Sequence, residues 1–127
     1  MRYIIDTQAF IWYAMGDKQL SKAALDIIES DAVRYVSIAS IWEMAIKNNI
    51  GKLNFELPFQ ELISTQLEIN YYEILNIELP HVFQLANLPL HHKDPFDRIL
   101  IAQAISENIP IVSIDAYFSS YPVSVIW

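Results

Sequence analysis

Arg2-Tyr3-Ile4-Ile5-Asp6-Thr7-Gln8-Ala9-Phe10-Ile11-Trp12 is the stretch whose reading decides the fold. Arg2 to Ile5 is a short apolar run of the kind that makes a buried strand. Asp6 ends it. A very apolar helix is predicted from Gln8 to Met15, closed near Gly16. Strand, acid and helix in that order form the first unit of a parallel α/β fold.

The same grammar recurs down the chain. Leu20-Ser21 opens a second helix, with Ser21 as N-cap, running to about Ser30. Arg34 to Ile38 is β-branched and aromatic and is predicted as the second strand. Ser40-Ile41-Trp42-Glu43 has capping-box spacing, so a helix is expected from there to about Asn49, stopped by Gly51. Pro58 starts the next helix, to about Ile69. Tyr71 to Leu75 is predicted as strand three, and Glu78 to Leu88 as a short helix. Asp94 and Pro95 form an N-cap and first-turn pair for a helix to about Asn108. Ile111 to Ile114 is predicted as strand four and Val123 to Ile126 as strand five. Strands alternating with helices give a three-layer α/β sandwich around a parallel five-stranded sheet. Right-handed crossovers and an order of 3-2-1-4-5 would bring the carboxyl ends of strands one and four together at a topological switch point.

Four carboxylates converge on that edge: Asp6, Glu43, Asp97 and Asp115. Acids gathered in one place repel each other unless a cation binds, and hard divalent ions with oxygen ligands, Mg²⁺ or Mn²⁺, suit them. The pattern reads as a metal-dependent phosphoryl-transfer site. Each acid also has a plainer role. Asp6 can cap the first helix, although Thr7 beside it can cap instead. Glu43 can complete the capping box with Ser40 and pair with Lys47 one turn on. Asp97 is favourable in the first turn of any helix. Asp115 can be a turn residue, and is read as ligand to a second, weaker metal. Asp94 rivals Asp97 but is most simply a cap. Thr7, Ser37 and Ser40 serve equally as helix caps or as hydroxyls that orient a carboxylate or a water. Arg98 reads equally as a surface residue. His81, His91 and His92 carry no recognised metal spacing, and the adjacent His91 and His92 are read as loop residues. Trp12 and Trp42 are expected in the core. The helix from Ala9 to Met15 is apolar all round, more than the edge of so small a domain readily buries, and its surplus face is expected to meet a partner.

Composition narrows the classes. With 54% hydrophobic residues in 127, a disordered chain is excluded and one domain with a sizeable core is expected. No apolar run approaches a membrane span. The start lacks the apolar region of a signal peptide, and the absence of cysteine removes disulfides and thiolate zinc sites; both suit a cytoplasmic location. A net charge of −7 argues against non-specific binding to polyanions, which depends on Lys and Arg, and favours a basic partner.

Four segments together resemble the PIN-domain ribonucleases, and more specifically the VapC-type toxins of bacterial toxin–antitoxin pairs. They are Ile5-Asp6-Thr7-Gln8-Ala9-Phe10-Ile11-Trp12; Val36-Ser37-Ile38-Ala39-Ser40-Ile41-Trp42-Glu43-Met44-Ala45-Ile46-Lys47; His92-Lys93-Asp94-Pro95-Phe96-Asp97-Arg98-Ile99-Leu100-Ile101-Ala102-Gln103-Ala104; and Ile111-Val112-Ser113-Ile114-Asp115 with Phe118. Their order and spacing cover nearly the whole chain. Each is modest alone; the four together are specific. The resemblance implies a single PIN-like nuclease domain over residues 1–127, Mg²⁺- or Mn²⁺-dependent cleavage of RNA, homodimerisation, and inhibition by a cognate antitoxin. The family's first three acids fall on Asp6, Glu43 and Asp97, and its more variable fourth on Asp115. Gln8 stands where many relatives carry His, outside the acid set.

In that reading Asp6 and Asp97 hold the main metal, with Glu43 helping directly or through water, and no histidine base is needed. Two other acid-rich α/β classes fit less well. A receiver domain has an acidic pair near strand one and a Lys after a late strand; here Ile5 precedes Asp6 and no such Lys follows strand four. A haloacid-dehalogenase-like phosphatase needs a second Asp two residues after its nucleophile, where this chain has Gln8. The remaining alternative is a catalytically weak PIN-like module that acts mainly by binding protein or RNA.

Overall fold

A computed structural model describes residues 1–127. Five parallel strands, β1 (Arg2–Ile5), β2 (Val33–Ser37), β3 (Glu73–Leu75), β4 (Ile111–Val112) and β5 (Val125–Ile126), form one sheet in the order β3-β2-β1-β4-β5. The expected class and strand order are therefore observed. Ile5 pairs with Val36 on one side and with Val112 on the other. This places β1 at the centre, with both its neighbours running in its own direction.

Helices α1 (Thr7–Met15), α2 (Lys22–Ile28), α3 (Ile38–Asn49), α4 (Phe59–Ile69), α5 (Leu79–Ala86) and α6 (Pro95–Glu107) connect and cover the sheet. The period-two alternation of strand side chains divides the core into two layers. Ile5, Val36 and Val112 point to one face, where Phe10, Ile28, Met44 and Ile63 from α1 to α4 pack on them. Ile4, Leu75 and Ile111 point to the other, against Leu100, Ile101, Phe118 and Tyr121. Ala39 on α3 meets Ile99 and Ala102 on α6, and the two small alanines let the two acid-bearing helices approach.

Local signals explain most boundaries. Gly16 ends α1 with φ 64°, a conformation that strains residues with a Cβ, and its N–H returns to the carbonyls of Trp12 and Tyr13. Ser21 caps α2 by accepting the Ala24 N–H at 3.1 Å. Asp94 caps α6 as expected, accepting from Phe96 and Asp97. Elsewhere the structure corrects the sequence reading. Strand two lies one residue earlier than predicted. Ser37 is the N-cap of α3, accepting the Ala39 N–H at 3.1 Å, so Ser40 is not a cap but a buried residue of the first turn. Strand three starts at Glu73, because Tyr71 takes φ 56° and so breaks the extended run, while Tyr72 is buried in the core. Strands four and five are each two residues long, the length over which Ile111 and Val112 find partners. A 3-10 helix, Ala116–Ser120, was not anticipated.

The first helix is better buried than its composition suggested. Ala9, Phe10 and Ile11 are in the core, and Trp12 is half-buried against Trp127 with ring centroids 5.9 Å apart. Trp42, expected inside, is exposed, packed edge-on to Phe96 at 5.0 Å. No helix is long and apolar enough to cross a membrane.

Candidate metal centre

Asp6 follows the last residue of β1, and its backbone N–H bonds to Val112 O at 3.1 Å, so the central strand pair sets its position directly. It is also the N-cap of α1: Oδ1 accepts the Ala9 N–H at 2.8 Å. Thr7 does not cap. Its hydroxyl donates to Ser40 Oγ at 2.8 Å, a buried tie between α1 and α3. Glu43 lies in the second turn of α3, Asp97 in the first turn of α6, and Asp115 caps the 3-10 helix after β4, accepting the Tyr117 N–H at 2.9 Å.

These four acids line one cleft of about 330 Å³, together with Asp94, Thr7, Gln8, Ile11, Lys47 and Ile114. All four predicted site residues are thus brought together, and Asp94 joins them while serving as a cap. Five carboxylates face one cation, Lys47, whose Nζ stands 3.0 Å from Glu43 Oε2. A larger opening of about 520 Å³ lies elsewhere, between α1, α2 and α4, and its lining has no comparable cluster of acids.

The electrostatics record the crowding. Burial pushes the Asp6 carboxyl up to about 6; the charges of Asp115 and Glu43 add to this, and hydrogen bonds from Ser113 and Ala9 oppose it. Burial likewise pushes Asp97 up to about 7, helped by the charges of Asp94, Glu43 and Asp115, with His92 pulling the other way. Neither acid gains enough compensating interaction to offset its burial.

A divalent cation fits this donor set. Glu43 Oε1 is buried and has no hydrogen-bond partner, a costly state for a carboxylate oxygen unless a ligand takes it up. The remaining donors are carboxylate oxygens, the ligands that hard cations prefer.

Histidine 92 was missed by the sequence reading. It does lie in a loop, but its ring enters the acid cluster, with Nε2 2.9 Å from Asp115 Oδ2 and 3.1 Å from Asp97 Oδ2. The available signal was its position two residues before the Asp94 cap, from which its ring can accept the Asp94 N–H at 3.1 Å. His81 is elsewhere, buried at the start of α5 and 3.2 Å from Glu107. Arg98 is a structural clamp that bonds to the carbonyls of Leu88, Pro89 and His92.

Residues 3–123 match the PIN domain, and the chain belongs to that family, whose members are generally nucleases. Solved structures share the fold at low identity. VapBC2 from Rickettsia felis, bound to a DNA fragment from its promoter, aligns with a TM-score of 0.74 and 15% identity over 99% of this chain and 98% of that one. FitAcB from Neisseria gonorrhoeae aligns with a TM-score of 0.70 and 16% identity, covering 98% and 96%. VapBC-1 from nontypeable Haemophilus influenzae aligns with a TM-score of 0.65 and 15% identity, covering 99% and 97%. No curated protein matches the sequence.

Proposed function

We propose that residues 1–127 act as a Mg²⁺- or Mn²⁺-dependent endoribonuclease, the toxin of a toxin–antitoxin pair. The observation that carries the reading is the cleft itself: five carboxylates, one lysine and an unpartnered buried Glu43 oxygen at the switch point of a PIN fold. Asp6 and Asp97 would hold the cation, Glu43 would take part through Oε1, and Asp115 would serve a second, weaker site. Bound there, a divalent ion supplies Lewis acidity toward the phosphate and lowers the pKa of a water molecule. The chain's own residues fix the approach. Lys47 holds one oxygen of Glu43 and leaves the other for the cleft. The Thr7–Ser40 bond sets the spacing between Asp6 and Glu43. The Asp94 cap orients the first turn that carries Asp97. RNA as substrate rests on the family resemblance.

The likeness to VapBC and FitAcB assemblies supports an antitoxin partner. The groove between α1, α2 and α4 suits it: Trp12, Tyr13, Leu20, Leu25 and Ile69 give an apolar floor, and the rim carries Asp17 and Glu29 with Lys18, for a mixed-charge segment with basic residues. Exposed Ile38, Trp42, Ile46 and Ile50, at four-residue intervals along α3 and its end, offer a second apolar surface for a homodimer. Absence of cysteine fits a cytoplasmic setting.

The deciding experiment is cleavage of a panel of single-stranded and structured RNAs by antitoxin-free protein, with Mg²⁺ or Mn²⁺ and with excess EDTA. Cutting that stops with EDTA and returns with added metal is expected. Cutting undiminished by EDTA would overturn the metal mechanism. Tight RNA binding without cleavage at any metal concentration would favour a binding module instead.

A further inference from the structure

The backbone N–H of Asp94 donates to His92 Nδ1 at 3.1 Å. A backbone amide is always a donor, so Nδ1 carries no proton there. A neutral imidazole with a free Nδ1 bears its proton on Nε2. Nε2 lies 2.9 Å from Asp115 Oδ2, to which its N–H donates, and 3.1 Å from Asp97 Oδ2, so the same N–H faces both carboxylates.

The ligand atoms of His92, Asp97 and Asp115 all lie within 4.8 Å of one another, which could suggest a site where all three bind a metal. The tautomer argues against that. A metal-binding nitrogen needs its lone pair, and the free lone pair is on Nδ1, already engaged. Moving the proton to Nδ1 would set it against the Asp94 N–H. The backbone that carries the ring is held as well. Tyr121 Oη accepts the His92 N–H at 2.9 Å and donates to Pro89 O at 2.8 Å, while Arg98 Nη1 holds the His92 carbonyl at 3.2 Å. Tyr121 is buried in the core, so the loop is anchored to a rigid part of the fold. Tyr117 and Phe118 flank the ring, with centroids at 5.6 and 6.0 Å.

We propose that His92 is a positioning residue whose Nε2–H braces Asp97 against Asp115 and sets the direction in which Asp97 offers its carboxylate to the cation. Metal-binding histidines usually direct their second nitrogen to a carboxylate outside the coordination sphere. Here the order is reversed: the carboxylate is the ligand and the histidine stands behind it. The brace treats its two acids unequally. Asp115 has both oxygens engaged, Oδ1 by Tyr117 N–H and Oδ2 by His92, whereas Asp97 meets His92 through Oδ2. Asp97 is therefore the stronger ligand of the two. The inference rests on the reading that Asp97 holds a divalent cation.

Two measurements on the full chain test it. The first is the imidazole ¹H–¹⁵N spectrum of ¹⁵N-histidine-labelled protein, without metal and with saturating Mg²⁺, which is diamagnetic. The His92 Nε2–H is expected in both. A proton on Nδ1 in the metal-free protein, or loss of the Nε2 proton when Mg²⁺ is added, overturns the brace. The second is Mn²⁺ affinity by calorimetry. His92→Ala should weaken binding roughly 10- to 100-fold, and His92→Gln, which keeps an N–H near the Nε2 position, should recover most of that. If His92→Ala does not fold, His92→Gln and the spectra decide. Wild type that binds Mn²⁺ with His92→Ala binding it equally well sinks the brace alone. Wild type that binds no Mn²⁺ sinks the metal reading and the brace with it.

Discussion

Asp6 and Asp97 show how a residue's environment sets its task. Both are aspartates near helix N-termini, where the dipole lowers the cost of negative charge. Yet burial and neighbouring acids push them up to about 6 and about 7. Asp6→Asn, Glu43→Gln and Asp97→Asn should each cut the cleavage rate at least about 100-fold with the fold retained, and Asp115→Asn should cost less, about 10-fold. Metal-dependent cleavage rates and circular dichroism check this; a fully active Asp97→Asn would move the role to Asp94. The same shifts make metal-free stability depend on pH. Unfolded, both acids titrate near 3.8; folded, they hold their protons to higher pH. The folded state therefore binds more protons between these values, and the stability this contributes is present below the unfolded value and lost as pH rises through about 6 to 7. Melting temperature without metal should fall by at least about 5 °C between about pH 5 and about pH 8. Saturating Mg²⁺ should flatten that slope, as should Asp6→Asn or Asp97→Asn. A slope unchanged in both variants would assign the pH dependence to other groups.

At the scale of elements, the site is a meeting of strand ends and the early turns of helices. The end of β1 delivers Asp6, where α1 begins, the second turn of α3 delivers Glu43, the first turn of α6 delivers Asp97, and the segment after β4 delivers Asp115. The contact that ties two of these elements nearest the cleft is the buried Thr7–Ser40 bond at 2.8 Å, the place where α1 and α3 are locked in register. Thr7→Val keeps the shape and removes the donor. It should cost about 1–2 kcal/mol, or roughly 3–8 °C in melting temperature, and weaken Mn²⁺ binding severalfold by loosening Glu43 relative to Asp6. Thermal melts and calorimetry read the two effects separately. A destabilised variant with wild-type Mn²⁺ affinity would mean that the tie supports the fold and not the site.

At the scale of the whole molecule, charge and apolar surface point outward in different places. The net −7 is concentrated partly in a cleft with one lysine, and the groove beside α1 is apolar, with Asp17, Glu29 and Lys18 at its rim. A partner that is basic and amphipathic satisfies both. Leu25→Ser and Ile69→Ser, in the groove, should reduce capture of a co-expressed small partner protein at least about tenfold, leaving circular dichroism and RNA cleavage by the free protein unchanged. Trp42→Ser, on the far stripe, should leave capture intact and shift the protein toward monomer in light scattering. A chain that stays monomeric at all concentrations and never co-purifies with a neighbouring small protein would remove the toxin assignment while leaving the nuclease reading standing.

The sheet order, the number of helices and the convergence of Asp6, Glu43, Asp97 and Asp115 were legible in the sequence. Short buried strands, Asp–Pro and Ser caps and chain-length crossovers are local signals, and the handedness of parallel connections turns them into one topology. Boundaries were less legible where two residues compete for one role. Ser37 and Ser40 can both cap, and only the pairing of Val33–Val36 with β1 and of Ser37 with Leu75 on β3 settles that the strand ends at Ser37. The first helix looked too apolar to bury because composition is blind to the residue after β5, Trp127, which packs beside Trp12. His92 was illegible for the same reason on a smaller scale. Its spacing matches no metal motif, and its role arises from a backbone N–H two residues away and from two acids that reach it from α6 and from beyond β4. Sequence patterns determine which elements form and which ends they share. Which side chains finally touch depends on contacts between residues far apart in the chain, and those exist only after the layers pack.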